Sequence, residues 1–425
     1  MMGYWRANFC DLLSRGILTA SLGVICIHRA DALTLDQLIT QAIEQHPATQ
    51  AAAYGVVASR YDVQSAQLAR FPVFSVTHDH YWDERQTTLS VQQPLWNGGA
   101  IRARIEQAEI QVAQNQANVL LERQQIAQRV LGAWTDYYVA QYRYTLTEQQ
   151  LLQLQDYAQL IKRRIDAGVS ASIEKQLVDS RIQQTRVEQE GAKAQQAIAQ
   201  DRLERLTGLT ALNTTLDLQQ LDSQLIDTLK QTQNLSTRIP VLDQHPSLIG
   251  ASYAIDAAQA AVVTQRAERW PRVFLQYQRQ IQHPYVDVDD AGIAVGVEIS
   301  TDRLVGSWVG SKAAQARVQA AEATRQAVAQ QVTDEWMASA QQIISLQHRL
   351  TTLQLAVESA RLVEASYLRQ FSAGHKSWLE VLNAVRETEQ TEQSLAETQV
   401  NLVALGIKWQ MDQGLMNWQH IGGTP

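Results

Sequence analysis

Few residues in this chain have the types and spacing that a chemical site requires. His78 and His80 are two residues apart, so in a strand both imidazoles would share one face and offer a pair of metal ligands. Two histidines are too few for a closed metal site, and a barrel lumen or rim accounts for them better. Asp287, Asp289 and Asp290 could bind Ca²⁺, although an isolated acidic loop is more often only solvated. We predict no metal site, and calcium binding by loop 287–290 stays an open alternative.

The segment 306–312 has the glycines and the lysine of a phosphate-binding loop. It is one residue short of the GxxxxGK spacing, and Ala313 takes the place of the Ser or Thr, so we expect no nucleotide there. No nucleophile with a neighbouring base is evident in the sequence. We therefore predict a protein that is not an enzyme, has no cofactor, and relies on partners for the energy of any transport.

Residues 1–32 are predicted to be a secretory signal peptide. Arg6 and Arg15 precede an apolar run over 17–27, and Ala30 and Ala32 are the small residues expected before a cleavage site. The run is shorter than the roughly 20 residues of a membrane-spanning helix. Both cysteines lie in this segment, so the mature chain has none, which suits an oxidising compartment.

The overall charge argues against nucleic-acid binding. The formal net charge is -7, and loss of three arginines and two aspartates with the signal peptide makes it -8, so a basic footprint is absent. The mean hydropathy of -0.25 is too polar for a bundle of transmembrane helices.

The chain contains a tandem repeat. Gln45-His46-Pro47 recurs as Gln244-His245-Pro246, and Arg70-Phe71-Pro72 recurs as Arg269-Trp270-Pro271, both 199 residues later. The predicted organisation is, in order, the signal peptide (1–32), a first structural repeat (33–208), an equatorial linker (209–244), a second structural repeat (245–410) and a C-terminal tail (411–425).

Each repeat is predicted to contain a very long helical hairpin, because proline is absent from 95–239 and from 285–424. A helix from Gly99 to Ala167 would be about 100 Å long, and its return over 170–206 only about 55 Å. The helix 47–70 adds about 36 Å, so two stacked short helices nearly match the long one. The corresponding helices of the second repeat are 306–373, 376–405 and 246–270, and the hairpin tips lie near Gly168 and Gly374.

Between the helices, period-two patterns predict β-hairpins over 72–95 and 272–300. Ile293, Val295, Val297 and Ile299 alternate with small or charged residues, which is typical of a strand with one face to lipid and one to a wet lumen. Four aromatic residues flank the strands on the helix side and are predicted to form an aromatic girdle: Phe71, Trp96, Trp270 and Trp308.

Four strands cannot close a barrel, and an open edge is not tolerated in hydrocarbon because its backbone groups find no water. The sequence therefore predicts an α+β membrane protein that oligomerises, and three copies would give twelve strands. A cytosolic coiled-coil protein with two hairpins is the alternative, but it leaves the signal peptide and the apolar strand face unexplained.

The doubled hairpins, the segment 93–99 and the turns 163–170 and 367–384 resemble the TolC outer-membrane efflux and secretion channel family over essentially all of the mature chain. The second turn is especially similar to the adhesin-exporting type I secretion branch (the LapE and AggA type). The resemblance implies a homotrimer in the outer-membrane lipid, with a shared 12-stranded barrel and a long α-helical barrel extending into the periplasm.

The resemblance also implies that the tips dock on a periplasmic adaptor (membrane fusion) protein. The tip residues that it assigns to docking are Ala167, Gly168, Val169, Ser170, Ala373, Gly374, His375 and Lys376.

A pore constriction is implied near the second tip. Glu380 matches the first of two acidic positions, whereas Asn383 occupies the second, which would leave three carboxylates per trimer. Glu174 matches an acid that holds the tips shut, but its aromatic partner position is Phe371, which lacks a hydroxyl. Lys376 is expected to offer Glu174 a replacement ion pair. The alternative is that these are ordinary solvated charges.

The predicted function is a passive exit duct for type I secretion of a large protein such as an adhesin, working with an inner-membrane ABC transporter. The alternative is the duct of a small-molecule efflux pump driven by protons. A structural coiled coil that spans the envelope without a pore is a third hypothesis.

Overall fold

The computed structural model describes residues 34–81, 84–209, 225, 245–282 and 290–413. The predicted signal peptide, most of the equatorial linker and most of the acidic loop 287–290 lie outside the described residues. None of the described helices is long and apolar enough to cross a membrane.

The first repeat contains four helices. They are α1 (Leu35–Gln45), α2 (Pro47–Leu68), α3 (Ala100–Asp166) and α4 (Ser172–Thr207). The second repeat contains α5 (Pro246–Ala267), α6 (Thr301–Ser372) and α7 (Trp378–Asp412).

The second long helix begins earlier than the sequence analysis predicts. α6 starts at Thr301, so Gly306 does not mark its beginning, and both Gly306 and Gly310 lie inside the helix. Gly310 provides room for a neighbour, because a Cβ there would lie 2.3 Å from Oε1 of Gln265 on α5. α7 also continues to Asp412, beyond the expected end at residue 405.

Equivalent helices of the two repeats begin in the same way. α2 and α5 each start with a proline that follows a histidine. The Nδ1 atom of His46 accepts a hydrogen bond from the backbone N–H of Ala48 at 3.1 Å, and that of His245 accepts one from Ser247 at 3.3 Å. The repeated His-Pro motif therefore caps and starts the two short helices.

The two hairpin tips share one backbone conformation. Gly168 and Gly374 have φ angles of 74° and 80°, in the left-handed region. The following residue donates its N–H back into the helix in both cases, from Val169 to the carbonyl of Arg164 and from His375 to that of Gln370, each at 2.9 Å. This is the Schellman arrangement, in which glycine is favoured because it has no Cβ.

Four antiparallel strands form one sheet in the order β1 (Val73–Tyr81), β2 (Glu84–Trp96), β3 (Arg272–Gln282) and β4 (Asp290–Glu298). Direct cross-strand neighbours share a face. One apolar row across the sheet is Phe74, Val91, Tyr277 and Ile293. The adjacent row, on the opposite face, is Ser75, Ser90, Gln278 and Gly292. The sheet thus has one apolar and one polar face over all four strands, not only over β4.

The helices pack in rows. Near the sheet the order is α2, α3, α5, α6, and near the tips it is α4, α3, α7, α6. One side of the protomer therefore ends in β1, α2 and α4, and the other side ends in β4 and α6. Neither side is covered in the protomer. Each of the two sides, called borders below, therefore has an unpaired strand edge and the unpacked side of a helix.

Candidate functional site: the periplasmic tips and the seam between the hairpins

Both tips share one hydrophobic cluster. Phe371 is only 3% exposed, and its ring centroid lies 5.0 Å from that of Trp378. Trp378 also makes an edge contact with Tyr157 of α3, with centroids 5.7 Å apart. Phe371, which the sequence analysis places in the gate, is therefore a packing residue that joins the two hairpins and does not line an open surface.

Arg164 connects the tips directly. Its guanidinium lies 4.7 Å from the centroid of the Phe371 ring, and its Nε donates to Oγ of Ser170 at 3.1 Å. Its Nη1 donates to the backbone carbonyl of Ser372, in the other hairpin, at 3.4 Å. The role of Arg164 could not be predicted from the sequence, since nothing in its residue type distinguishes it from the neighbouring Arg163.

Lys376 pairs with Glu380 and not with Glu174, so the expected replacement ion pair is wrong. Its Nζ lies 2.6 Å from Oε1 of Glu380 and 4.4 Å from the centroid of the Tyr367 ring. The two residues are four apart around the start of α7, so the pair forms within the second hairpin. Oε2 of Glu174 is buried and has no hydrogen-bond partner among the described residues.

Glu380 also completes the cap of α7. Its carboxylate accepts from the N–H and Oγ of Ser377, both at 2.9 Å, in a capping box. The hydrogen bond from Lys376, followed by those from Ser377, lowers the pKa of Glu380 to about 2. Asn383 lies one turn further on and is exposed. The two predicted constriction positions therefore share one side of α7.

A buried ion pair crosses the seam between the hairpins. Nη2 of Arg181 (α4) lies 2.6 Å from Oε2 of Glu389 (α7), and the two side chains are 11% and 6% exposed. Gln150 of α3 donates to the same carboxylate oxygen. Burial raises the pKa of Glu389, against the opposing effect of Arg181. Three helices from both hairpins therefore meet at one charged group.

A second buried carboxylate lies nearby, on α6. Oε1 of Glu364 accepts from Nε2 of Gln153 at 2.5 Å and from the hydroxyl of Tyr157 at 3.1 Å. Burial, together with the Glu364 charge, raises the pKa of Tyr157 to about 12. These groups line a cavity of about 380 Å³ between the hairpins. This network could not be predicted from the sequence, because isolated polar residues in a long helix do not indicate which of them are buried.

At the sheet end, the four aromatic residues assigned to the girdle are all exposed in the protomer, by 48–61%. The rings of Trp96 and Trp270 make an edge contact at 6.1 Å, and Nζ of Lys312 lies 3.9 Å from the centroid of Trp308. His78 lies on the apolar face near the far rim, where its Nδ1 is 2.9 Å from Oγ1 of Thr87. No group of metal-ligating side chains is found among the residues that the structure describes.

A half-apolar sheet with open edges, mounted on paired long helices, defines a protomer of an oligomeric outer-membrane channel. A family model described as outer membrane efflux protein matches residues 38–209 and 240–404. The chain belongs to this family, and its fold is that of the TolC-like channels. It is an outer-membrane protein that extends into the periplasm, and the family consists of channel proteins rather than enzymes.

Individual known proteins are similar to this chain at 17–23% sequence identity. The chain is 23% identical to the alkaline protease secretion protein AprF of Pseudomonas aeruginosa over 314 residues, which cover 72% of this chain and 64% of that protein. The structure of the outer-membrane channel OprN is similar with a TM-score of 0.75 and 20% identity, covering 91% of this chain and 90% of that chain. The outer membrane protein VceC of Vibrio cholerae has a TM-score of 0.72 and 17% identity, covering 89% and 96%.

Proposed function

We propose that this protein is the outer-membrane exit duct of a type I secretion system and that it carries a large exported protein, such as an adhesin. The observation that supports this most directly is the similarity to AprF, whose name is that of a protease secretion protein. The likeness of the turn 367–384 to the adhesin-exporting branch points the same way. The duct itself is passive, and an inner-membrane ABC transporter supplies the energy.

The duct is a homotrimer in this proposal. TolC-like channels are homotrimers that work with adaptor proteins and inner-membrane transporters. In this chain, the border formed by β1, α2 and α4 and the border formed by β4 and α6 are both unpaired. A head-to-tail contact between them closes into a ring after three copies, with twelve strands and no free edge in lipid.

The tips are the proposed docking surface for the periplasmic adaptor. Val169 is 62% exposed, and Leu379 at the start of α7 is 54% exposed, so both tips present apolar side chains to the periplasm. The rigid Schellman turns hold the following docking residues in place: Ala167, Gly168, Val169, Ser170, Ala373, Gly374, His375 and Lys376.

Glu380 is proposed to set the ion preference of the closed end. With a pKa near 2, its carboxylate stays charged at every physiological pH and offsets the positive charge of Lys376 in each of the three copies. In Glu380→Gln, Lys376 loses its partner and leaves a ring of positive charge. We expect the cation preference in planar bilayers to fall or reverse.

The matched control is Glu190→Gln, which removes an exposed charge of α4 away from the tips. If both variants kept the wild-type conductance and ion selectivity, Glu380 would be an ordinary surface charge.

The secretion proposal is tested by deleting the gene and comparing surface and medium proteins by mass spectrometry. We expect the loss of one very large, repeat-rich protein, and restoration by the wild-type gene. An unchanged protein profile together with new sensitivity to toxic compounds would contradict secretion and would favour the duct of a small-molecule efflux pump.

A further inference from the structure

Among the described residues, each of the four helix rows has an exposed cation without a carboxylate partner close to the sheet. They are Arg70 just after α2, Arg102 on α3, Arg266 on α5 and Lys312 on α6. None of the four has a carboxylate partner among the described residues, whereas nearby Arg104 pairs with Glu268 at 2.6 Å. These four residues are called the basic ring below.

Contacts between the first helices place the first two cations at one height. Nδ2 of Asn115 donates to the carbonyl of Gly55 at 3.3 Å, which fixes the register of α2 against α3. Because the two helices are antiparallel, Arg70 lies level with the start of α3, about 3 Å from the level of Arg102 at 1.5 Å per residue.

The other two cations lie at the same height. The pair between Arg104 and Glu268 brings Arg266 to within about one turn of Arg104. Nη2 of Arg269 donates to Oγ of Ser311 at 2.6 Å, which brings Lys312 level with residues 268 and 269. All four cations therefore lie within roughly 9 Å along the axis of α3.

The basic ring lies directly on the periplasmic side of the aromatic residues. Trp96 pairs with Val273, and Val273 pairs with Val297, so Trp96 belongs to the apolar row of the sheet. Trp270 contacts Trp96, and Arg266 precedes Trp270 by four residues. Lys312 follows Trp308 by four residues and lies over its ring. Lys312 thus lies one helical turn from Trp308 and on its side of α6, while Arg266 lies in the last turn of α5, four residues before Trp270.

We propose that the basic ring binds the phosphate groups of phospholipids in the inner leaflet of the outer membrane and prefers anionic phospholipids. The chain as a whole has a net charge of -7, so the basic ring is a local positive surface on an acidic protein. Long basic side chains reach from an apolar surface to phosphate groups, and their attraction to anionic lipid adds to that of the aromatic belt. The inference rests on the insertion of the sheet into the membrane and not on the transported cargo.

The test uses the full mature chain, purified as the oligomer and reconstituted in phosphatidylcholine vesicles. Tryptophan fluorescence is quenched with brominated phosphatidylglycerol and, separately, with brominated phosphatidylcholine, because the exposed Trp96, Trp270 and Trp308 lie beside the basic ring whereas Trp134, Trp378 and Trp409 are buried away from it. We expect stronger quenching by the anionic lipid, and a ratio clearly closer to one in the double variant Arg266→Gln, Lys312→Gln, which removes half of the basic ring. High salt is expected to lower the wild-type ratio.

The control is Lys162→Gln with Arg163→Gln, which removes the same charge from the tip, about 90 Å away along α3. It should keep the wild-type ratio. An unchanged ratio in the Arg266→Gln, Lys312→Gln variant overturns the proposal. If that variant also changed the ion selectivity in planar bilayers, the basic ring would line the lumen instead. Either result leaves the secretion proposal intact, because deletion of the gene tests that separately.

Discussion

The imidazoles of His46 and His245 cap their helices only while they are neutral. Protonation turns Nδ1 from an acceptor into a donor and places a positive charge at a helix N-terminus, where the macrodipole disfavours it. Burial lowers the pKa of both histidines; Arg129 adds to this at His46 while Glu122 opposes it, and Glu335 opposes it at His245. Their folded pKa is below the ordinary value, so their stabilising effect is complete above about pH 6.5 and is lost as the pH falls.

We therefore expect the double variant His46→Asn, His245→Asn to keep its stability in acid, since asparagine caps helices without titrating. The wild-type oligomer should lose several degrees of melting temperature between about pH 7.5 and pH 5, and the variant should lose less. Asp412 has the opposite effect on stability, because burial raises its pKa to about 6 and its protonation in acid stabilises the folded state. Both proteins are therefore compared in an Asp412→Asn background. Equal slopes in both proteins would show that the caps do not sense pH.

The buried pair of Arg181 and Glu389 predicts an asymmetric response to mutation. Removal of either partner leaves a buried charge, which costs about 3–5 kcal/mol. In Arg181→Met, the remaining carboxyl already has a raised pKa and becomes neutral in acid, so stability should recover as the pH falls. In Glu389→Leu, the guanidinium stays charged, and no recovery is expected. Thermal unfolding at two pH values checks this, and identical profiles would contradict it.

The helices and strands that could be predicted from the sequence are those bounded by proline or glycine and those with a clear hydrophobic periodicity. The strand alternation of 293–299, the His-Pro helix starts and the glycines at both tips each have a local cause, and the predicted elements lie within a few residues of the structure, apart from the start of α6 and the end of α7. Gly306 misled the prediction, because a glycine inside a packed helix has the same sequence signal as one at a helix end. The apolar face of the first hairpin, β1 and β2, is only weakly evident in the sequence, since its polar and apolar residues alternate less strictly.

The connection between β2 and α3 offers a matched test at this scale. Gly98 and Gly99 both have positive φ, but a Cβ on Gly98 would lie 2.3 Å from Cβ of Trp270, whereas a Cβ on Gly99 would meet nothing within 4 Å. Gly99→Ala should cost only the backbone strain of roughly 1–2 kcal/mol. Gly98→Ala should cost clearly more, because the girdle tryptophan must also move. Heat resistance of the oligomer on gels ranks the two, and equal losses would contradict the role of Trp270.

For the molecule as a whole, the sequence could predict the repeat and the need for oligomers but not how the hairpins hold each other. Arg164, Glu364 and Glu389 acquire their roles only when two hairpins more than 200 residues apart pack together, and no local pattern records that pairing. Glu174, by contrast, keeps a buried oxygen without a described partner, next to a border where another copy would lie.

Closure of three copies into one continuous duct can be tested by single-channel recording. The purified protein is recorded in planar bilayers, on a fraction whose mass has been determined by light scattering. We expect stepwise, cation-preferring conductance from a particle of three protomers, because only closure removes the edges at β1 and β4. A stable monomer, or a trimer that inserts without any conductance, would contradict it.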